Sequence, residues 1–340
     1  MTEQSIPVSP QARLSQFLSG FRISQAIGVA AELGIADLLS DGPRSSGELA
    51  QATGSHPRAL FRLLRALASV GIFTEVEPER FGLTPMAEAL QADAPGSQRD
   101  TARYTASDTN WPAWGQLGYS IRTGETAFKH VHGLDVWDYR KQHPTANAIF
   151  NAVMTSGSAL QADAITAAYD FSGFGTLMDV AGGHGLLLTT ILSANPTLRG
   201  ILAEQPHVVA SAGPIMEQSE VADRCTVVAV DFFASVPSGA DAYILKWIIH
   251  DWDDDRALAI LTNCREAMGP NGTLLLAEAV IPPGDTPSPG KFMDLQMMVI
   301  PGGQERTEAE YRALFEAAGF RLTRIVPTRS PLSVIEGKPI

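Results

Sequence analysis

Thr176-Leu-Met-Asp-Val-Ala-Gly-Gly-His-Gly185 is the stretch whose reading decides the fold. Leu177–Ala181 is a strand-like apolar run carrying one acid, Asp179, and it opens directly into Gly182, Gly183 and Gly185. About 20 residues further on, the apolar run Ile201–Ala203 ends in Glu204. Acid, glycine turn, helix, second strand, second acid is the order in which a parallel α/β sheet builds a nucleoside pocket. Glycine lets the backbone approach a ligand because no side chain intervenes. A carboxylate at the tip of the second strand can accept from both ribose hydroxyls.

Outward toward the C-terminus, short β-rich runs alternate with helical stretches: Thr176–Ala181, Ile201–Ala203, Thr226–Val230, Ala242–Trp247, Thr273–Ala279, Phe320–Val326 and Leu332–Ile335. Such alternation predicts an α/β fold with a doubly wound, largely parallel, Rossmann-like sheet, whose ligands bind at the carboxyl ends of the strands. Ile281–Gly290, rich in Pro and Gly, reads as a loop.

Toward the N-terminus the rhythm is different. From Leu14 to about Leu90 apolar residues recur every three or four positions, as in Ile27, Ala30, Ala31, Leu33 and Leu60, Leu63, Leu64, Leu67. Gly34 closes one helix, Ser45-Ser-Gly-Glu48 starts another and Ser55-His-Pro57 a third. Phe73–Val76 and Arg80–Leu83 then predict a hairpin, completing a winged-helix pattern of the kind that often reads DNA. Arg58, Arg62 and Arg65 lie near one face of the third helix, but residues 1–100 hold eight basic against eleven acidic side chains. That balance removes the main source of DNA affinity, so dimerisation or packing is the expected role of this half. Residues 91–110 read as polar and loop-like. Trp111, Trp114, Phe128 and Trp137 follow, then a helical stretch around 146–164 with Phe150 and Met154 one turn apart.

The whole chain has 340 residues, 45% hydrophobic and 18% charged, as expected for a globular enzyme of two domains. A formal net charge of −12 repels nucleic acid and anionic membranes and favours a neutral or cationic small molecule. Cys225 and Cys264 form no disulfide framework and read as buried thiols in a reducing compartment. Met1–Pro7 has no signal-peptide pattern, and no run of roughly 18 apolar residues occurs, so the expected location is cytoplasmic.

The glycine spacing narrows the cofactor. G-x-G-x-x-G fails here, because His184 and Leu187, or Leu188 in the shifted register, stand where glycines are needed. A dinucleotide is therefore disfavoured, and S-adenosylmethionine, which has no pyrophosphate, is the common alternative. Asp231-Phe-Phe233 after the third strand offers a carboxylate to an adenine amino group and an aromatic wall to its ring. Past the next strand, Lys246-Trp-Ile-Ile-His250 puts a histidine where ligands are expected, and Asp253–Asp255 reads as a helix N-terminus rather than a metal site.

Taken together, Asp179-Val-Ala-Gly-Gly-His-Gly185, Glu204-Gln-Pro206, Asp231-Phe-Phe233, His250-Asp-Trp252, Glu278-Ala-Val-Ile-Pro282 and Gly302-Gly-Gln-Glu-Arg-Thr307 resemble the S-adenosylmethionine-dependent O-methyltransferases of the plant caffeate and flavonoid type and their bacterial natural-product relatives. Ala181 stands where that family has a further glycine, and Glu204 replaces its more usual aspartate. The resemblance implies His250 as general base, held by Glu278 and Glu305. It implies a donor site of Asp179, Gly182, Gly183, Gly185, Glu204, Asp231, Phe232 and Lys246, and an acceptor site of Trp114, Phe150, Met154, Asp251, Met293 and Met297. It further implies a winged-helix-like dimerisation domain over 1–100, a helical linker contributing to the acceptor pocket over 101–165 and a catalytic domain over 166–340. The expected partners are an aromatic small-molecule acceptor and a second copy of the chain, with S-adenosylhomocysteine as product and no metal. C- or N-methylation on the same fold, a relative that uses the bound cofactor without transferring its methyl, and a ligand-sensing winged-helix regulator stay open as alternatives.

Overall fold

The computed structural model describes residues 9–340, so the reading of Met1–Pro7 lies outside the described residues. The chain divides into two compact units, one of residues up to 112 with 140–157, the other of 113–139 with 158–340. The segment 101–165 is thus shared between the two units.

The first unit is built as the apolar periodicity predicts. Helix Pro10–Glu32 starts at Ser9, whose hydroxyl accepts the Ala12 N–H. Helix Ser46–Thr53 starts with a capping box in which Ser45 and Glu48 satisfy each other's backbone N–H groups. Helix Pro57–Ala68 turns Leu60, Phe61, Leu64 and Leu67 into a core with Ile35, Leu49, Phe73 and Phe81. Arg58 and Arg65 stay on its exposed side, stacked over the Phe61 ring. The wing has three strands in the order β1-β3-β2: β1 (Arg44–Ser45), β2 (Phe73–Glu77) and β3 (Arg80–Leu83), where the sequence showed only the last two. Residues 91–110 are not all loop: Arg99–Ala106 is a helix. Its composition is polar, and it owes its place to packing on helix Pro10–Glu32, where a Cβ on Gly28 would stand 2.2 Å from that of Ala106. Arg103 binds Glu32 across the pair. Along the N-terminal helix Leu14, Phe17, Leu18 and Phe21 are exposed, an i, i+3, i+4, i+7 stripe left uncovered within the chain.

The second unit holds β4 (Thr176–Val180), β5 (Arg199–Glu204), β6 (Cys225–Ala229), β7 (Ala242–Lys246), β8 (Thr273–Glu278), β9 (Phe320–Pro327) and β10 (Ser333–Pro339) in the order β6-β5-β4-β7-β8-β10-β9. Strands β4 to β8 are parallel, and β10 joins β8 and β9 antiparallel. Alternate side chains feed opposite layers: Met178, Val180, Tyr243, Leu245, Leu274 and Leu276 enter one core, Leu177, Ala242, Ile244, Leu275 and Ala277 the other. Successive strands run outward in opposite directions from the β4/β7 boundary, the switch point where such sheets open a crevice. Cys264 is buried as expected, whereas Cys225, on the edge strand β6, is only half-buried. Burial pushes their thiols up to about 12 and about 11. Among the described residues no helix is long and apolar enough to cross a membrane.

Candidate active site

The sheet's carboxyl edge brings the sequence-predicted residues of this unit into one row. Asp179 lies on β4, Glu204 ends β5, Asp231 follows β6, Lys246 ends β7 and Glu278 ends β8. Asp179 is 1% exposed, and neither carboxylate oxygen has a hydrogen-bond partner. Burial, with the charge of Glu204 added, pushes it up to about 7 against the pull of Lys246. Glu204 accepts the Gly183 N–H at 2.9 Å and the Gln205 N–H at 2.7 Å, one on each oxygen. Burial still holds its carboxyl above the ordinary range. A carboxylate oxygen has a second lone pair, so both remain able to accept from a diol.

The three glycines do different work. A Cβ on Gly182 would meet the Asp179 carboxylate at 2.4 Å and Leu202 at 2.7 Å, and one on Gly185 would meet the Met216 sulfur at 2.5 Å. These two are required by packing under the turn. Gly183 faces open space, at φ +60°. Ala181, where the resembling family has glycine, also takes a positive φ, +59°.

At the end of β6, Asp231 is exposed and accepts the Phe233 N–H at 3.0 Å. Phe232 is buried in the sheet's core, which leaves Phe233 as the exposed ring of the pair, edge-on to Trp252. Lys246 donates to Ser158 and Gln161, and burial lowers its ammonium pKa against the charges of Asp179 and Glu278.

His250 sits in the 3-10 turn Ile249–Asp251 after β7 and is 6% exposed. Its Nδ1 lies 2.8 Å from Oε1 of Glu305 and 3.9 Å from Oε2 of Glu278, and its Nε2 lies 3.7 Å from Asp251. Glu278 spends its other oxygen on the N–H groups of Ile248 and Ile249, at 3.0 and 2.9 Å, so one carboxylate caps the turn and faces the ring. Burial pulls the imidazole's pKa down, but Glu278, Asp251 and Glu305 outweigh it and push it up to about 9. Glu278, forced by burial and opposed by His250, rises to about 7. One imidazole nitrogen and two carboxylate oxygens here come within 4.8 Å of one another, a donor set that a metal ion could also use. The Nδ1 atom is also within hydrogen-bond distance of Glu305. Asp253–Asp255 forms a helix N-terminus as read, with Asp253 accepting the Arg256 N–H.

The remaining candidates lie on helices. Met293 and Met297 share one face of helix Gly290–Val299, and Gln296 of that helix accepts from the Trp114 indole. Phe150 and Met154 lie on helix Pro144–Ala168, in the part that clusters with the first unit, where Arg140 stacks over the Phe150 ring. Sequence reasoning missed Trp247, whose indole lies near-parallel to the His250 ring at 6.0 Å, on a backbone with φ +54°. Asp294 was missed too; it accepts the Glu305 N–H at 2.9 Å. So was Arg306, 1% exposed beside the turn. The motif Gly302–Thr307 flagged that segment for Glu305, and not for Arg306.

The O-methyltransferase domain family matches residues 114–321, and the O-methyltransferase dimerisation domain matches residues 15–93. The chain is 44% identical to a phenazine O-methyltransferase of Lysobacter antibioticus over 100% of both chains. It is 37% identical to an 8-amino-8-demethylriboflavin N,N-dimethyltransferase of Streptomyces davaonensis, over 95% of this chain and 94% of that one. Among solved structures it resembles an O-methyltransferase from neocarzinostatin biosynthesis in complex with S-adenosylhomocysteine and 1,4-dihydroxy-2-naphthoic acid, with a TM-score of 0.85 and 32% identity over 99% of this chain and 100% of that one.

Proposed function

The chain belongs to the O-methyltransferase family, and we propose that it moves the methyl group of S-adenosylmethionine to a hydroxyl of an aromatic small molecule, with His250 as general base. The observation that carries this reading is a buried imidazole whose Nδ1 is tied to Glu305 at 2.8 Å, leaving Nε2 as the atom for a substrate proton.

The strand ends fit the donor. Glu204 and Asp231 offer carboxylates to ribose and adenine, Phe233 rather than the buried Phe232 offers its ring, Lys246 ends the neighbouring strand, and Gly183 leaves open space beside the turn. Asp179, buried without a hydrogen-bond partner, suits a cationic group. When bound, the donor supplies an electrophilic methyl group on a sulfonium sulfur.

The residues of this chain then have two tasks, to place a hydroxyl and to take its proton. A phenol loses its proton near pH ~10, so nucleophilic phenolate is scarce at neutrality unless a base assists. Neutral His250 accepts that proton at Nε2, while Nδ1–H donates to Glu305 and the two glutamates favour the imidazolium that forms. Such help is worth ~10²–10⁴-fold, and alignment on the order of 7–11 kcal/mol, so positioning is the larger share. Trp114, Phe150, Met154, Asp251, Met293 and Met297 are proposed to hold the acceptor ring. The reading needs no metal, assigns the exposed stripe on helix Pro10–Glu32 to a homodimer and includes neither nucleic acid nor membrane as a partner. Two free thiols suit a reducing cytoplasm.

The test incubates the enzyme with methyl-labelled donor and a panel of hydroxylated and amino aromatics, 1,4-dihydroxy-2-naphthoic acid included. The expected product carries the label on oxygen; label on nitrogen alone would favour the chemistry of the riboflavin-type relative. His250→Ala is expected to bind S-adenosylhomocysteine normally and to lose ~10²–10⁴-fold in turnover. Undiminished turnover would refute the base assignment.

A further inference from the structure

The turn that carries His250 is gripped from outside by four consecutive residues. A Cβ on Gly303 would fall 2.0 Å from the His250 carbonyl oxygen, 2.3 Å from the Asp251 carbonyl carbon and 2.6 Å from the Trp252 nitrogen. The Gln304 N–H donates to that same His250 carbonyl at 2.9 Å. Glu305 takes the ring. Arg306 closes the far side: its guanidinium donates to the Ile249 carbonyl at 3.1 Å, the Trp252 carbonyl at 3.0 Å and the Gln304 carbonyl at 3.3 Å. Its charge is met by Asp254, at 3.0 and 2.8 Å. The backbone of Arg306 is itself fixed, its carbonyl accepting the Ile281 N–H at 3.0 Å.

We propose that Gly303 and Arg306 are positioning residues for the reaction: they lock the turn Ile249–Trp252 against the segment Gly302–Thr307 and so set where His250 presents its imidazole. This rests on the reading of His250 as base. Carbonyl groups on both sides of His250 are held by one rigid guanidinium fork, and the carbonyl of His250 itself lies where only glycine leaves room. A lysine at 306 keeps the charge but has no planar fork to span two carbonyls. An alanine at 303 must push the turn away, since its Cβ would lie under 3.0 Å from three backbone atoms, closer than real Cβ contacts come. Either change separates Nδ1 from Glu305 while leaving the strand-end carboxylates in place.

The test reads the ring directly and needs no acceptor. Proteins labelled with carbon-13 histidine are titrated by NMR, with the His250 signal assigned by its loss in His250→Asn, and S-adenosylhomocysteine binding is measured by calorimetry. Arg306→Lys and Gly303→Ala both conserve charge, so a shift in titration reports geometry. The expected result is that His250 titrates at least about one pH unit below the parent, toward the ordinary 6.5, with S-adenosylhomocysteine affinity unchanged. Arg224→Lys is the control, because Arg224 likewise spans carbonyls, those of Leu192, Asn195 and Leu198, far from the turn in sequence. It should lower the melting temperature and leave His250 alone. The proposal is overturned if Arg306→Lys and Gly303→Ala behave as Arg224→Lys does, losing stability while His250 titrates where the parent has it. Failure of the base reading would show differently, as undiminished turnover in His250→Ala.

Discussion

His250 and Glu305 stand 55 positions apart in the chain, yet Nδ1 of one lies 2.8 Å from Oε1 of the other, and both residues are buried. Removing the glutamate's charge removes an interaction that favours the imidazolium. With His250 pushed up to about 9, the free enzyme at neutral pH carries mostly imidazolium, and the active neutral form grows as pH rises. The expected profile of kcat/KM climbs about tenfold per pH unit on its acid limb. Glu305→Gln should move that limb toward lower pH while cutting the plateau, a pairing that initial rates between about pH 6 and 10 can check.

Asp179 links the donor site to stability. Its folded pKa, about 7, is raised from 3.8. Its contribution is therefore full below pH 3.8 and is lost as pH rises through 7, leaving a net cost at pH 8 in the absence of ligand. Asp179→Asn mimics the protonated acid. It should stabilise the ligand-free protein at pH 8 by on the order of 4 kcal/mol, change little at pH 4 and weaken donor binding. Urea melts at the two pH values, with calorimetry for the donor, would check all three expectations.

Ala181 carries a β-carbon at φ +59°, a conformation that costs an L-residue about 1–2 kcal/mol. Glycine relieves that strain and returns part of the gain as unfolded-chain entropy. Ala181→Gly should therefore stabilise by about 0.5–1 kcal/mol, whereas Gly185→Ala, at φ +82° and against the Met216 sulfur, should destabilise. Denaturant midpoints of the two variants should move in opposite directions.

Phe17 and Leu18 are 70% and 68% exposed within the dimerisation domain. Replacing both by aspartate sets four charges against each other across a symmetric interface. Dimer dissociation should become easier by on the order of 10²-fold or more, read by light scattering across a dilution series. A mass unchanged at every concentration would remove this helix face from the interface.

Strands β4, β5 and β8 were readable in the sequence because each is an apolar run buried between two layers that ends at or near an acid or a glycine. Asp253 was readable because a helix cap is local, and so was the Ser45–Glu48 capping box. What escaped depends on distant partners. β1 is two residues long and exists only through β3, 35 residues away or more. Helix Arg99–Ala106 has no apolar stripe of its own and forms on the groove that Gly28 leaves open. The positive φ of Trp247 contradicts what an aromatic side chain prefers, so no local rule could anticipate it. Arg306, a charged residue in sequence terms, is buried because three carbonyls and Asp254 converge on it. The motif order pointed to the candidate site, while the grip on His250 depends on contacts between residues distant in sequence.

Every residue proposed to hold the donor or move the proton stands at a strand end or in a braced turn, and most of those proposed to hold the acceptor stand on helices. Selection can thus vary the two inventories separately. A lineage can exchange methionines and aromatic rings on the helices, and with them its taste in aromatic compounds, without rewriting the part that makes it a methyltransferase. Diversification into new pathways is cheap for such a scaffold, and a directed-evolution library should concentrate its diversity on those helical positions.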